Sequence, residues 1–137
     1  MSVGRMTHSH AIVWMDFREA RIFRFNAEDV EHEHLKAHNP FRKVHHKAGV
    51  IGAGRLALDT NFFDHIVDAL RGTTEWLLVG PSGAKLELLR HIEQHMPWVR
   101  KTLVGVHAMD HPTDGELLAH ARQAFKAIDR MLPNTPA

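Results

Sequence analysis

The chain has 137 residues, of which 44% are hydrophobic and 24% charged, a composition typical of one globular domain. Its 17 Lys and Arg against 16 Asp and Glu give a net charge of +1, so bulk charge favours no particular partner. The absence of cysteine excludes disulfides, thiolate metal sites and cysteine nucleophiles, and fits a reducing, cytoplasmic compartment. Because no signal peptide or membrane-spanning apolar run is evident, we expect one soluble domain over residues 1–137, with its core at about 8–132.

The first part of the sequence predicts three antiparallel strands. HAIVWM at 10–15 and ARIFRF at 20–25 are rich in β-branched and aromatic residues and are joined by a polar turn. VEHEHLKA at 30–37 alternates residue types with period two, as an exposed strand does.

The remainder alternates helices with buried strands. A helical pattern begins at Asp59 or Thr60 and ends at Leu70, before Gly72. Short apolar runs at 76–79 and 102–106 predict strands buried on both faces. A helical stripe at 86–96 lies between them and is expected to end at Pro97.

The last predicted helix carries an apolar stripe over 117–132 and is preceded by Thr113 and Glu116 at capping-box spacing. The element order predicts an α/β fold. Its mixed five-stranded sheet has three antiparallel and then two parallel strands covered by three helices, the ribonuclease H-like arrangement.

A basic segment at about 38–57 connects the third strand to the first helix. No acidic residue lies between Glu33 and Asp59, and the centre of the segment is rich in glycine, which lets a backbone approach phosphates closely. A connection this long is typical of either a functional loop or a solvated one. We predict a flexible loop whose RNA- or ribosome-binding residues are Arg42, Lys43, His45, His46, Lys47, Gly49, Gly52, Gly54 and Arg55.

A second glycine-containing segment follows the strand at 76–79, where a buried strand meets a helix start. Backbone amides there can bind an anion, and the candidate anion-binding residues are Gly80, Ser82, Gly83 and Lys85. The spacing departs from that of a nucleotide phosphate loop, and a tight turn whose glycines serve packing is the alternative.

Two further sets of residues are candidates for metal chemistry, among them members of the 13 histidines. His32 and His34 share a strand face and are candidate ligands for zinc, nickel or copper, although exposed or RNA-facing histidines fit equally. Asp16 and Asp110 each follow a strand, where carboxylates can hold magnesium for phosphodiester hydrolysis; turn and cap roles are the alternative. No bound cofactor is predicted.

Four segments in order resemble one domain of a known family: AIVWMDFREARIFRF, HHKAGVIGAGR, LLVGPSGAK and VGVHAMDHPTDGELL. They are similar to the central domain of archaeal and eukaryotic class I release factors and of the ribosome-rescue factor Pelota. The chain also resembles short stand-alone bacterial proteins labelled translational machinery proteins. The resemblance covers about residues 8–130 and implies a ribonuclease H-like fold whose long loop reaches the peptidyl-transferase centre.

The chain departs from release factors at the tip of that loop, which in those proteins carries Gly-Gly-Gln. The segment from Lys47 to Arg55 contains no glutamine, and Gln94 and Gln123 lie on predicted helices. Peptide release by the glutamine mechanism is therefore not expected.

These observations predict a non-catalytic translation accessory protein that associates with the ribosome, rRNA or tRNA through its basic loop and does not bind membranes. One alternative is a metal-dependent phosphodiesterase or nuclease that uses Asp16 and Asp110. Another is a self-associating structural or stress protein, and the sequence leaves homo-oligomer formation open.

Overall fold

The computed structural model of the protein describes residues 9–37, 60–81 and 83–131. Five strands and four helices lie in these ranges. They are β1 (His10–Met15), β2 (Glu19–Phe25), β3 (Val30–Lys36), α1 (Thr60–Ala69), β4 (Glu75–Gly80), α2 (Ala84–His95), α3 (Pro97–Arg100), β5 (Leu103–Ala108) and α4 (Asp114–Met131).

The five strands form one mixed sheet in the order β3-β2-β1-β4-β5. The pairs β1–β2 and β2–β3 are antiparallel, whereas β1–β4 and β4–β5 are parallel. The parallel pairs require crossovers, and α1 and α2 supply them. The predicted α/β class and the mixed sheet of three antiparallel and two parallel strands are confirmed.

Helices cover the two faces of the sheet unequally. Helices α1 and α2 pack on one side, which we call the two-helix face; it buries Val13, Ile22, Phe62, Ile66, Leu78, Leu88 and Ile92 among others. Helix α4 packs on the other side, the one-helix face, where the buried residues are Ile12, Trp14, Phe23, Phe25, Leu77, Val79, Leu117, Ala121 and Phe125. Central strands β1 and β4 contribute to both cores because alternate side chains point to opposite faces.

The three tryptophans lie at different depths. Trp14 is fully buried, and its indole N–H lies 3.1 Å from the carbonyl oxygen of Met109 and 3.0 Å from that of Asp110. Trp76 is also fully buried and donates to the hydroxyl of Thr102 at 3.0 Å. Trp98, on α3, is 65% exposed.

Local details agree with the sequence patterns except around Pro97. The predicted capping box is present: Glu116 N donates to Thr113 Oγ1 at 3.1 Å, and Thr113 N donates to Glu116 Oε1 at 2.8 Å. Pro97 was expected only to end the second helix, whereas it also begins α3, since proline suits the first position of a helix. None of the helices in the described ranges is long and apolar enough to cross a membrane.

Candidate functional site

Asp16, Gly80, Lys85 and Asp110 lie at the end of the sheet where the parallel strands β1, β4 and β5 finish, which we call the carboxyl end. Strand β3 also finishes there, because Lys36 pairs with Glu19 beside the β1–β2 turn. The chain leaves β3 at Ala37, whose N–H donates to the carbonyl of Arg18 at 2.8 Å.

Helix α1 runs away from the carboxyl end. At its last residue, the carbonyl of Ala69 accepts from Arg24 Nη1 at 2.9 Å, near the opposite end of β2. The first residue of this ten-residue helix, Thr60, therefore lies towards the carboxyl end, about 15 Å from the last. The predicted basic loop lies outside the described residues, but its two flanking elements both open towards this end.

Asp16 occupies the turn between β1 and β2. Its Oδ1 accepts the backbone N–H groups of Arg18 at 2.8 Å and Glu19 at 2.9 Å, so one carboxylate oxygen stabilises the turn. Its Oδ2 lies 3.8 Å from His111 Nε2, and His111 Nδ1 lies 3.3 Å from Asp110 Oδ1. The structure thus links the two predicted acids through His111, a residue that no sequence motif marks.

This group of three side chains does not form a metal site. The side chain of Asp110 is 90% exposed, and Asp16 directs one oxygen to the backbone. Within the three described ranges, no set of three or more His, Asp or Glu side chains is arranged to hold a metal ion.

The loop after β5 is held against the sheet by Trp14 and Arg21. The guanidinium of Arg21 lies 4.7 Å from the centre of the Trp14 ring. The centres of the Trp14 and His111 rings are 5.0 Å apart. Arg21 also binds Asp114 Oδ1 at 2.8 Å and the carbonyl of Pro112 at 2.9 Å. These contacts hold polar groups of the loop after β5 against the carboxyl end of the sheet.

The turn after β4 is compact at both of its ends. A Cβ atom added to Gly80 (φ +153°) would lie 2.1 Å from the carbonyl oxygen of Met15, so only glycine fits beside β1. Lys85 Nζ donates to the carbonyl of Gly80 at 2.6 Å; the residue is only 8% exposed, and burial lowers the pKa of Lys85. Gly83 precedes α2 in helical conformation, and Ser82 lies outside the described residues. The lysine stabilises the turn, and anion binding here stays a prediction.

His32 and His34 share a face of β3, as predicted. The His32 ring stacks on Phe23 at 4.5 Å between centroids and 9° between planes, and His34 Nε2 lies 2.6 Å from Glu19 Oε1. The neighbour of His32 is an aromatic ring and that of His34 is a carboxylate. The two histidines therefore do not form part of a set of three metal ligands among the described residues.

Two further features were not selected from the sequence. His107 Nδ1 on β5 lies 3.0 Å from His120 Nε2 on α4; burial, and secondarily His107, lowers the pKa of His120. A cavity of about 530 Å³ lies at the other end of the sheet, between α1 and α3, beside Trp98. The histidine pair and the cavity each combine residues from separate elements, so no local sequence pattern predicts either of them.

Solved structures share this fold. Pelota from Thermoplasma acidophilum matches with a TM-score of 0.57 and 18% identity, covering 93% of this chain and 36% of that protein. Pelota from Archaeoglobus fulgidus matches with a TM-score of 0.55 and 16% identity, covering 89% and 37%. The archaeal translation termination factor aRF1 matches with a TM-score of 0.53 and 14% identity, covering 88% and 39%.

No protein-family model and no curated protein matches this sequence. The chain spans little more than a third of the length of the Pelota proteins, and at these identities the likeness establishes the fold alone. At that level it agrees with the resemblance in sequence to release factors and Pelota. The relation to stand-alone bacterial proteins stays a prediction.

Proposed function

We propose that this protein is a non-catalytic translation accessory domain that associates with the ribosome or with structured RNA. The observation that carries the proposal is the fold, which matches part of two Pelota proteins and of an archaeal termination factor over most of this chain. Fold alone does not establish an activity, so the proposal needs support from the residues.

The first support is the charge of the basic segment. Between Glu33 and Asp59 the sequence has no acid and five permanent cations, and four of these follow β3: Arg42, Lys43, Lys47 and Arg55. In a chain of net charge +1, this concentration of cations favours contact with phosphate. Strand β3 ends and α1 begins towards the carboxyl end, where Arg18 and Lys36 are exposed.

The second support concerns the absence of the release-factor tripeptide. No glutamine lies in the basic segment, and Gln94 and Gln123 are exposed on α2 and α4. The proposed role is therefore binding to the ribosome or to structured RNA, without peptide release. Hydrolysis by Asp16 and Asp110 gains no support from their geometry, and we expect RNA and DNA to stay intact with magnesium or manganese.

Gradient sedimentation of cell lysate, with immunodetection of this chain, tests the association. We expect cosedimentation with ribosomes or ribosomal RNA at low salt and its loss at high salt. With four cations on phosphates, the logarithmic salt dependence of binding should have a slope of about three to four in magnitude. A protein that stays at the top of the gradient at low salt would contradict the proposal.

A charge-matched pair of variants assigns the contact. Replacing Arg42, Lys43 and Lys47 with glutamine should weaken binding and reduce the slope to about one. The control replaces three exposed cations elsewhere, Arg71, Lys101 and Lys126, with glutamine and loses the same charge. Equal losses in both triple variants would show attraction by net charge and would remove the basic segment from the proposal.

A further inference from the structure

Strand β3 sorts its polar side chains between the two faces of the sheet. Glu31 and Glu33 lie on the two-helix face, where both bind Arg24, at 3.2 and 3.1 Å. Arg24 also reaches the last carbonyl of α1, so these acids are part of the contact between helix and sheet. The negative charges of β3 are therefore directed to one face.

The opposite side of β3 carries no acid. Val30, His32, His34 and Lys36 share the one-helix face, and all four are exposed. Helix α4 packs over β1 and the adjacent strands, where its buried residues lie against Ile12 and Trp14. The row Val30, His32, His34 and Lys36, which we call the β3 row, thus forms an open strip of sheet.

His32 gives this strip a flat ring. One face of its imidazole lies on Phe23, which is 5% exposed and fixed in the core. Because His32 itself is exposed, its other face is accessible to a ligand. A ring supported from below in this way is suited to stacking on a nucleic-acid base.

The charges around the strip favour an anionic ligand. Lys36 is exposed at the carboxyl end of the row, and the chain continues from it directly into the basic segment. Arg122 is exposed on α4, its guanidinium 5.0 Å from the centre of the Phe25 ring. Of the acids near this strip, Glu19 and Asp114 are paired with His34 and Arg21, and Glu28 and Asp29 are exposed in the turn before Val30, at the end of the row opposite Lys36.

We propose that the β3 row binds a single-stranded segment of RNA, with a base stacked on His32 and phosphates near Lys36 and His34. The proposal rests on the RNA association proposed above and adds a second contact surface to it. A single strand fits because its bases are free to stack on a side chain, whereas those of a duplex are already stacked.

Fluorescence anisotropy with a short, unstructured, adenine-rich RNA tests this surface. His32→Ala should weaken binding about 5- to 150-fold, the effect of removing one base–ring stack. Its salt slope should stay that of the wild type, since stacking involves no phosphate. His32→Phe should retain most of the affinity, because it restores a ring without a charge.

Control measurements distinguish binding at the β3 row from the RNA or ribosome association proposed above. His65→Ala removes an exposed histidine from α1, on the other face, and should leave RNA binding unchanged. If the wild type binds RNA with strong salt dependence and His32→Ala binds equally well, the β3 row is not a contact, while the proposed function stands. If the wild type binds neither RNA nor ribosomes, both proposals fail.

A contact between copies of this chain is a further outcome. Light scattering that shows a dimer disrupted by His32→Ala, with RNA binding unaltered, would overturn the proposal. A monomer whose RNA affinity falls in His32→Ala and recovers in His32→Phe would support it.

Discussion

The two faces of strand β3 use polar residues in opposite ways. On the two-helix face, Glu31 and Glu33 bind Arg24, which holds the end of α1 to the sheet. On the one-helix face, His32 and His34 are exposed. One strand of seven residues thus carries both a structural ion cluster and an accessible surface, because its side chains alternate. The difference indicates that substitutions on the first face will change stability and those on the second will change binding.

The largest effect on stability is expected from a substitution in the core of the two-helix face. Leu78 is fully buried on the central strand β4, so Leu78→Asp would place an unpaired carboxylate among apolar side chains and unfold the domain. Circular dichroism and thermal unfolding measure this. Leu86→Asp, at a leucine 58% exposed on α2, is the matched control and should fold. A cooperative unfolding transition in Leu78→Asp would contradict the topology.

A smaller effect should separate the two faces of β3 directly. Arg24→Gln leaves two carboxylates and the Ala69 carbonyl without their guanidinium partner, and should lower the free energy of unfolding by about 1–3 kcal/mol. His34→Gln removes only an exposed pair with Glu19 and should change it by less than about 0.5 kcal/mol. Urea unfolding of both variants provides the comparison. Equal losses would mean that the two faces contribute alike to stability.

The smallest effect is a pH dependence of folding stability that arises where α4 covers the one-helix face. Burial and His107 lower the pKa of His120 in the folded protein, whereas in the unfolded chain a histidine titrates near ~6.5. As pH falls through that value, the unfolded chain binds the proton first, so folding stability decreases towards acid and is unaffected well above it. Urea unfolding between about pH 7.5 and 5.5 should show this decrease.

The variant His120→Gln isolates the pair in that experiment. It should show a shallower loss of stability towards acid than the wild type, since it removes the group with the lowered pKa. His65→Gln, at an exposed position on α1, should retain the wild-type dependence. An unchanged dependence in His120→Gln would show that the contact between His107 and His120 is not coupled to folding.

Local patterns predicted the elements of this fold well. The five strands lie within one or two residues of their predicted positions because turns and apolar runs mark their ends. The capping box at Thr113 was also predicted, since its residues are three apart. The helix α3 was missed because Pro97 both ends one helix and begins the next.

The candidate site was predicted only in part. Asp16 and Asp110 lie at the same end of the sheet because they follow strands that run parallel, a consequence of the predicted topology. The contact of His111 with both acids depends on how the loop after β5 folds back over Trp14, which no local pattern encodes. The inward direction of Lys85 is likewise set by the closeness of β4 to α2. The basic loop residues lie outside the described residues and stay a prediction.

The depths of the three tryptophans provide a built-in set of optical reporters. Because the chain contains no tyrosine, these indoles dominate its intrinsic emission. Trp14 senses the Met109–Asp110 loop at the carboxyl end, Trp76 senses the opposite end of the sheet, and Trp98 senses the solvent. A water-borne quencher reaches Trp98 first, so single replacements of tryptophan by phenylalanine can distinguish opening of the loop from loss of the core without any attached dye.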